Sequence, residues 1–405
     1  MTRVQTADGL FGPLRRAAGA WNRFWFNPAD PTTLGLIRIC GGLLVLYLHI
    51  AYTYDLQAIF GSHAWVDTQM MDEFRKEYPV PAPPVGWQNS SSVTPPQTSE
   101  DEHYAEKWGI NPSLLLGKGR TYLCSIWFHL TDPTWMLVVH CAVLAIMFCF
   151  AIGFCTRVMA VLTWAAMLSY VQRGPATLFG MDAMTMIVIL YLTIGPSGAA
   201  LSVDRLITRY WLARRARRQH LPTPSFGPPE PSVSANVAIR LLQIHFCIIY
   251  FISGLSKLQG GAWWNGTAVW LTMANYEFSP MRMKLYMDAL RFIAARRWLW
   301  ELVTTGGTYF TLAFEISFPF LIWTRWGRPL IIASAVFMHL GIAFCMGLVT
   351  FSMVMLTGVL SFVPPEVVRG LLDRLGQSLR SLTRRQIAPG PEKARAIMMA
   401  QGRSF

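Results

Sequence analysis

The stretch NVAIRLLQIHFCIIYFISGLSKLQGG, residues 236–261, is an almost unbroken apolar run that ends on one lysine, Lys257, among small residues. At about 1.5 Å of rise per residue, the part from 236 to 256 is long enough for a helix to cross the hydrocarbon core of a bilayer. The rest of the chain has the same character. Of its 405 residues, 53% are hydrophobic and only 14% charged, too few polar groups to clothe a soluble protein of this size. The expected fold class is therefore all-α, a polytopic integral membrane helical bundle.

Further apolar runs fall at 33–54, 135–154, 157–172, 181–200, 305–323, 329–349 and 350–364, which with 236–256 gives an expectation of about eight transmembrane helices. The runs at 157–172 and 350–364 are short enough to tilt or re-enter. The formal charge of +13 sits beside these runs. Arg15, Arg16 and Arg23 precede the first, Arg205, Arg209, Arg214, Arg215, Arg217 and Arg218 follow the fourth, and Arg369, Arg374, Arg380, Arg384 and Arg385 follow the last. Basic clusters flanking spans, without interleaved aromatics, point to positive-inside anchoring in a lipid bilayer and away from nucleic acid. With an even number of spans all three clusters share one side, so both termini are expected in the cytoplasm, across the plasma (inner) membrane of a bacterium.

The chain then divides into a basic N-terminal segment 1–32, a membrane domain 33–364, and a basic tail 365–405. Outer loops are expected at 55–134 and 257–304, and a cytoplasmic linker at 205–235. Residues 1–32 carry no apolar leader, so the first span is expected to act as an uncleaved signal anchor. PAPPVGWQNSSSVTPPQTSED (81–101) predicts a mobile outer loop, and TPSFGPPEPSV (223–233) a separator between two sets of four spans. MRMKLYMDALRFIAARRWLWE (281–301) alternates basic and apolar residues at helical spacing and predicts an interfacial helix on the outer leaflet. The cysteines, most of them inside spans, form neither a disulfide framework nor a CxxC metal site, and no metal is expected.

Ionisable groups inside hydrocarbon are costly unless paired or hydrated, so the few present are the candidates for function. Counted from the cytoplasmic ends, His245, Glu315 and His339 share a mid-membrane depth, with Arg38 slightly nearer the cytoplasm. Arg38 and Glu315 are expected to pair, with His245 and His339 beside them, as a substrate pocket or as a polar network that fixes helix register. Lys257 ends the fifth span and Asp182 begins the fourth, at similar depth near the outer face. Three roles are open to Lys257: snorkelling to the headgroups beside Trp263 and Trp264, neutralising Asp182, or serving as a desolvated amine that takes up a proton. Its neighbours Ser253, Gly254, Ser256, Gly260 and Gly261 are small, which suits close helix approach or a ligand.

Five segments, in order, carry a resemblance: LGLIRICGGLL (34–44), FGMDAMTMIVILYLTIGPSGAALSVDR (179–205), YFISGLSKLQGGAWWNG (250–266), TLAFEISFPFLIW (311–323) and HLGIAFCMGLVTFSMVMLTGVLSFVPPE (339–366). Over residues 20–365 the chain resembles the HTTM (horizontally transferred transmembrane) domain family, related to the membrane module of vitamin K-dependent gamma-carboxylase. In that carboxylase a small-residue motif, AG-x-x-K-L, supplies a lysine that deprotonates vitamin K hydroquinone. Oxygen converts the anion to a stronger base, which removes a glutamate γ proton before carbon dioxide adds.

By that match the resemblance implies Lys257 as base, Asp182 as an orienting or protonating partner, and a quinone or other isoprenoid lipid as cofactor or substrate. Two departures narrow it. Met181 or Asp182 stands where the carboxylase has a histidine, and the lumenal propeptide-binding domain has no counterpart, so protein carboxylation is not expected. Two classes of function follow: a carboxylase-like, epoxidase-like or quinone-dependent membrane enzyme, or a non-enzymatic multipass protein that binds lipid or a partner or moves a solute.

Overall fold

The computed structural model describes residues 12–66, 125–174, 179–222 and 224–387. Among these the chain is helical and strandless, with an isolated bridge between Ala29 and Ser232. The longer helices are α1 (Gly12–Phe26), α2 (Thr32–Tyr52), α3 (Pro133–Ile152), α4 (Thr156–Arg173), α5 (Gly180–Ile194) and α6 (Val203–Arg218), followed by α7 (Val233–Lys257), α8 (Lys284–Ala294), α9 (Gly307–Leu321), α10 (Gly327–Met346), α11 (Val349–Val359) and α12 (Pro365–Ile387).

Local chemistry sets their ends. Asp132 caps α3 by accepting from the Thr134 and Trp135 amides, with Pro133 in the first turn where its missing N–H costs nothing. α3 stops at Gly153, in the left-handed region at φ 75°, and α4 follows at once, which makes the two an antiparallel hairpin. Ser202 and Ser232 cap α6 and α7 in the same way, each accepting from the amide three residues on.

Each of the eight expected apolar runs lies wholly or mostly on helix, but among the described residues only α2, α3, α7 and α10 are each long and apolar enough to cross a membrane alone. α5 is a shorter apolar helix, and α11, extended to Phe362, qualifies only together with the start of α12, from which it is bent by 113°. By length and composition four to five spans are met among the described residues, and the expected eight is not confirmed. Large apolar side chains face outward all the same, among them Leu137, Val138 and Phe148 on α3 and Leu330, Phe337 and Phe344 on α10. Such a surface is unfavourable in water and ordinary against acyl chains, so the chain is an integral membrane helical bundle.

Inside, α2 packs on α3, α5 and α11, while α7 packs on α9, α5, α11 and α1. Leu34, Ile37, Phe150, Ile189, Leu242, Phe246 and Phe318 are fully buried between them. Because lipid is as apolar as these side chains, close packing carries the association more than any hydrophobic gain. Gly358 shows how close: a Cβ there would lie 1.8 Å from the Phe246 ring.

Elements near both ends of the described chain gather at one end of the bundle. Arg369 pairs with Asp30, the Thr33 hydroxyl donates to the Val363 carbonyl (3.2 Å), and Asn236 donates to the Phe24 and Trp25 carbonyls (2.7 and 2.9 Å). In the expected linker 205–235, α6 occupies the first half. Its proline-rich part folds back on α6 through bonds from Arg205 and Arg209 to the Gly227 carbonyl (2.7 and 3.1 Å). The expected loop 257–304 is also helical in part, with turns at Gly261–Trp264 and Ala268–Met273 before the amphipathic α8. The 81–101 segment lies outside the described residues.

Candidate functional site

α7 presents Phe246, Tyr250, Ser253 and Lys257 at steps of three and four residues, which lines them along one face. That face meets α9, and the meeting requires Gly254: a Cβ there would stand 2.9 Å from Ile316 Cγ1 and 3.1 Å from Glu315 Cβ. The glycine brings the Glu315 carboxylate against the end of α7. Lys257 Nζ lies 3.0 Å from Glu315 Oε1 and 2.9 Å from Oε2, and donates to Ser253 Oγ at 2.7 Å. Ser253 Oγ in turn donates to Glu315 Oε1 (3.2 Å). The Glu315 side chain is 7% exposed and that of Lys257 22%.

The amine therefore does not snorkel. Its bond to Ser253, one turn earlier on the same helix, turns it back into the bundle. The turn at Gly261–Trp264 folds over it, with the Trp263 ring centroid 5.4 Å from Nζ. Farther on, the Val269 amide donates to Thr308 Oγ1 (3.2 Å), tying this cover to α9. A π-helical turn, Leu302–Gly306, leads into α9.

This arrangement corrects the expected Arg38–Glu315 pair and decides against one of the three roles open to Lys257. Glu315 is paired with Lys257, not with Arg38, and Lys257 is not paired with Asp182. Arg38, fully buried, donates instead to backbone carbonyls of Ser197 (2.7 Å), Ala200 (3.3 Å) and Leu201, and so stitches the GPSGAALSVD turn to α2. Asp182 caps its own helix by accepting from the Phe179 amide (2.8 Å). The two histidines part company as well. His339 Nε2 shares a hydrogen bond with the Tyr250 hydroxyl (2.8 Å), while the half-buried His245 faces Tyr191 on α5 (3.0 Å). Only His339, through Tyr250, belongs to the same α7 face as Lys257.

A second buried polar cluster escaped the sequence reasoning. His140 bonds Tyr170 OH through Nδ1 (2.6 Å) and Thr53 Oγ1 through Nε2 (2.9 Å). His49 Nδ1 meets the Val45 carbonyl (2.8 Å), an acceptor, so this nitrogen carries the proton. His49, Tyr52, Tyr170 and Asp182 border a cavity of about 10 Å³, room for about one water. Counting from the C-terminal end of α2 and the N-terminal end of α3 puts both histidines in the third of the bundle nearest those ends. That count was the signal, and depths taken from the cytoplasmic ends alone do not show it.

Among the described residues no three His, Cys, Asp or Glu side chains converge as a metal centre would need. The Lys257 donor set does fit an organic hydroxyl: an amine with a carboxylate beside it, under an aromatic cover. The ammonium has three N–H bonds and three oxygen atoms within reach, Ser253 Oγ and both Glu315 oxygens. Ammonium with carboxylate and amine with carboxylic acid carry the same net charge, so a proton can pass between them without creating an isolated charge. In comparisons with known proteins, no family model, no curated protein and no solved structure matches the chain.

Proposed function

We propose that the chain is an HTTM-type membrane protein acting on a quinol-type or other isoprenoid lipid, with Lys257 as proton acceptor and Glu315 as its proton store. The observation behind this is the inward-turned amine, held against a buried carboxylate where a purely anchoring lysine would extend to the headgroups. Passing one proton from Nζ to a Glu315 oxygen leaves a neutral amine. The lone pair then takes the proton of a substrate hydroxyl delivered from the bilayer, and Ser253 holds the amine in place through the exchange. In this proposal the end carrying α1, α6 and α12 faces the cytoplasm of a bacterial cell, because that end carries the arginines. Asp182 has no part in the proton step, since it caps α5.

One observation favours a second reading. Lys257 Nζ already donates to Ser253 Oγ and Glu315 Oε1 and lies at ion-pair distance from Oε2, as a structural pair would, and the chain would then be a non-enzymatic lipid- or partner-binding bundle. The two separate in nanodiscs supplied with a short-chain ubiquinol, by following quinol consumption and oxygen uptake. Lys257→Arg keeps the cation and its pairing with Glu315 but cannot act as a base. The enzymatic reading expects a loss of about 100-fold or more at unchanged thermal stability. Equal rates in the two proteins, or no consumption above protein-free nanodiscs, establish the structural reading instead.

A further inference from the structure

At the end of the bundle remote from Lys257, a groove of about 460 Å³ opens between the start of α2, the end of α3, α6 and α12. Its size is that of a small-molecule site. Three half-buried arginines, Arg205, Arg209 and Arg369, line it together with one acid, Asp373. The apolar part of its wall is Ile152, Leu206 and Leu372.

The charges in this groove do not balance. Arg369 is met by Asp30 and, at 3.7 Å, by Glu366. Arg205 and Arg209 have no such partner among the described residues. Arg205 donates to the Ala199 and Gly227 carbonyls (2.8 and 2.7 Å), and Arg209 to the same Gly227 oxygen (3.1 Å) while lying over the Phe226 ring. Two guanidiniums thus converge on one carbonyl oxygen, and each repels the other. Burial, and then the neighbouring Arg209, push the Arg205 guanidinium below its ordinary range. Each carbonyl satisfies only part of a five-donor fork, so N–H groups remain for an oxyanion.

We infer that this groove binds the phosphate of an anionic phospholipid, with Arg205 and Arg209 on the headgroup and an acyl chain leaving past Ile152, Leu206 and Leu372. Arginine forks match phosphate oxygens, and the apolar wall gives the ligand an amphiphile's two ends. Leu206, 63% exposed, continues the wall onto the outward apolar surface, so the occupant can enter from the membrane. A free phosphate ester shares the headgroup chemistry but leaves the wall uncovered. The site is independent of any chemistry at Lys257.

The test is native mass spectrometry and thermal unfolding of the delipidated protein, titrated with phosphatidylglycerol, with phosphatidylcholine of the same chains, and with glycerol phosphate. The wild type should prefer phosphatidylglycerol over phosphatidylcholine by about tenfold or more, and Arg205→Gln with Arg209→Gln should abolish that preference. Arg214→Gln with Arg215→Gln, exposed on the same helix and outside the groove, should keep it. Asp373→Asn, which removes the groove's acid, should tighten phosphatidylglycerol, a gain that no loss of folding can imitate. Equal affinity for the two lipids in the wild type, an unchanged preference in the Arg205/Arg209 variant, or unchanged binding in Asp373→Asn overturns the inference. Glycerol phosphate bound as tightly as the lipid overturns the lipid assignment in favour of a soluble phosphate ester.

Discussion

Lys257→Met and Glu315→Leu, alone and together, form a cycle that measures the pair directly. Lys257→Met strands a carboxylate whose side chain is 7% exposed, with the Ser253 hydroxyl as its remaining donor. Breaking a buried pair from one side costs about 3–5 kcal/mol, and this side belongs at the lower end of that range, about 3 kcal/mol, because Ser253 stays. Glu315→Leu strands an ammonium that is 22% exposed and sits at a helix end. Its stem can swing to the headgroups, which lowers the cost to about 1–2 kcal/mol. The double variant holds no charge and sets two apolar side chains against each other, so it should fall within about 1 kcal/mol of wild type. The coupling is then at least about 3 kcal/mol. Unfolding by SDS titration in mixed micelles, followed by tryptophan fluorescence, reads all four proteins. Additive single effects, within about 0.5 kcal/mol, would refute the pair, and a costlier Glu315→Leu than Lys257→Met would refute the burial argument.

Two further outcomes follow from packing and backbone capture. Arg38→Met should cost about 3 kcal/mol or more, because buried carbonyls at Ser197, Ala200 and Leu201 lose a charged donor; limited proteolysis should then open the 195–204 turn, and Arg38→Lys should recover only part. Gly358→Ala should lower the thermal midpoint sharply, since its Cβ would meet the Phe246 ring, and Phe246→Leu placed beside it should return part of the loss.

The helices were legible because their causes are local. Apolar runs of bilayer length, the Asp132–Pro133 start of α3 and the Gly153 and Gly347 stops all act within a few residues. The partners within the bundle were not, and for a physical reason. Depth read from span ends leaves open the rotation of each helix about its axis, so Glu315 was matched to the wrong cation. Arg38 looked like half of an ion pair because its true partners are backbone carbonyls, which every residue owns and no sequence pattern marks. Lys257 was singled out by its small neighbours, and Gly254 turned out to be the one that brings its acid within reach. His49 and His140 passed unnoticed for want of a count from the other side of the membrane.

The π-helical turn at Leu302–Gly306 has one more consequence. A π-turn is an α-helix carrying one residue too many, a local slip in angular phase of about 100°. Deleting Thr305 would let the turn relax to α and would rotate everything before it, including the cover over Lys257, against everything after it, including Glu315. The two sides of the site are thus geared through a single surplus residue, and an accidental loss of that residue would leave Ser253, Lys257, Trp263 and Glu315 all present while turning the cover away from Glu315.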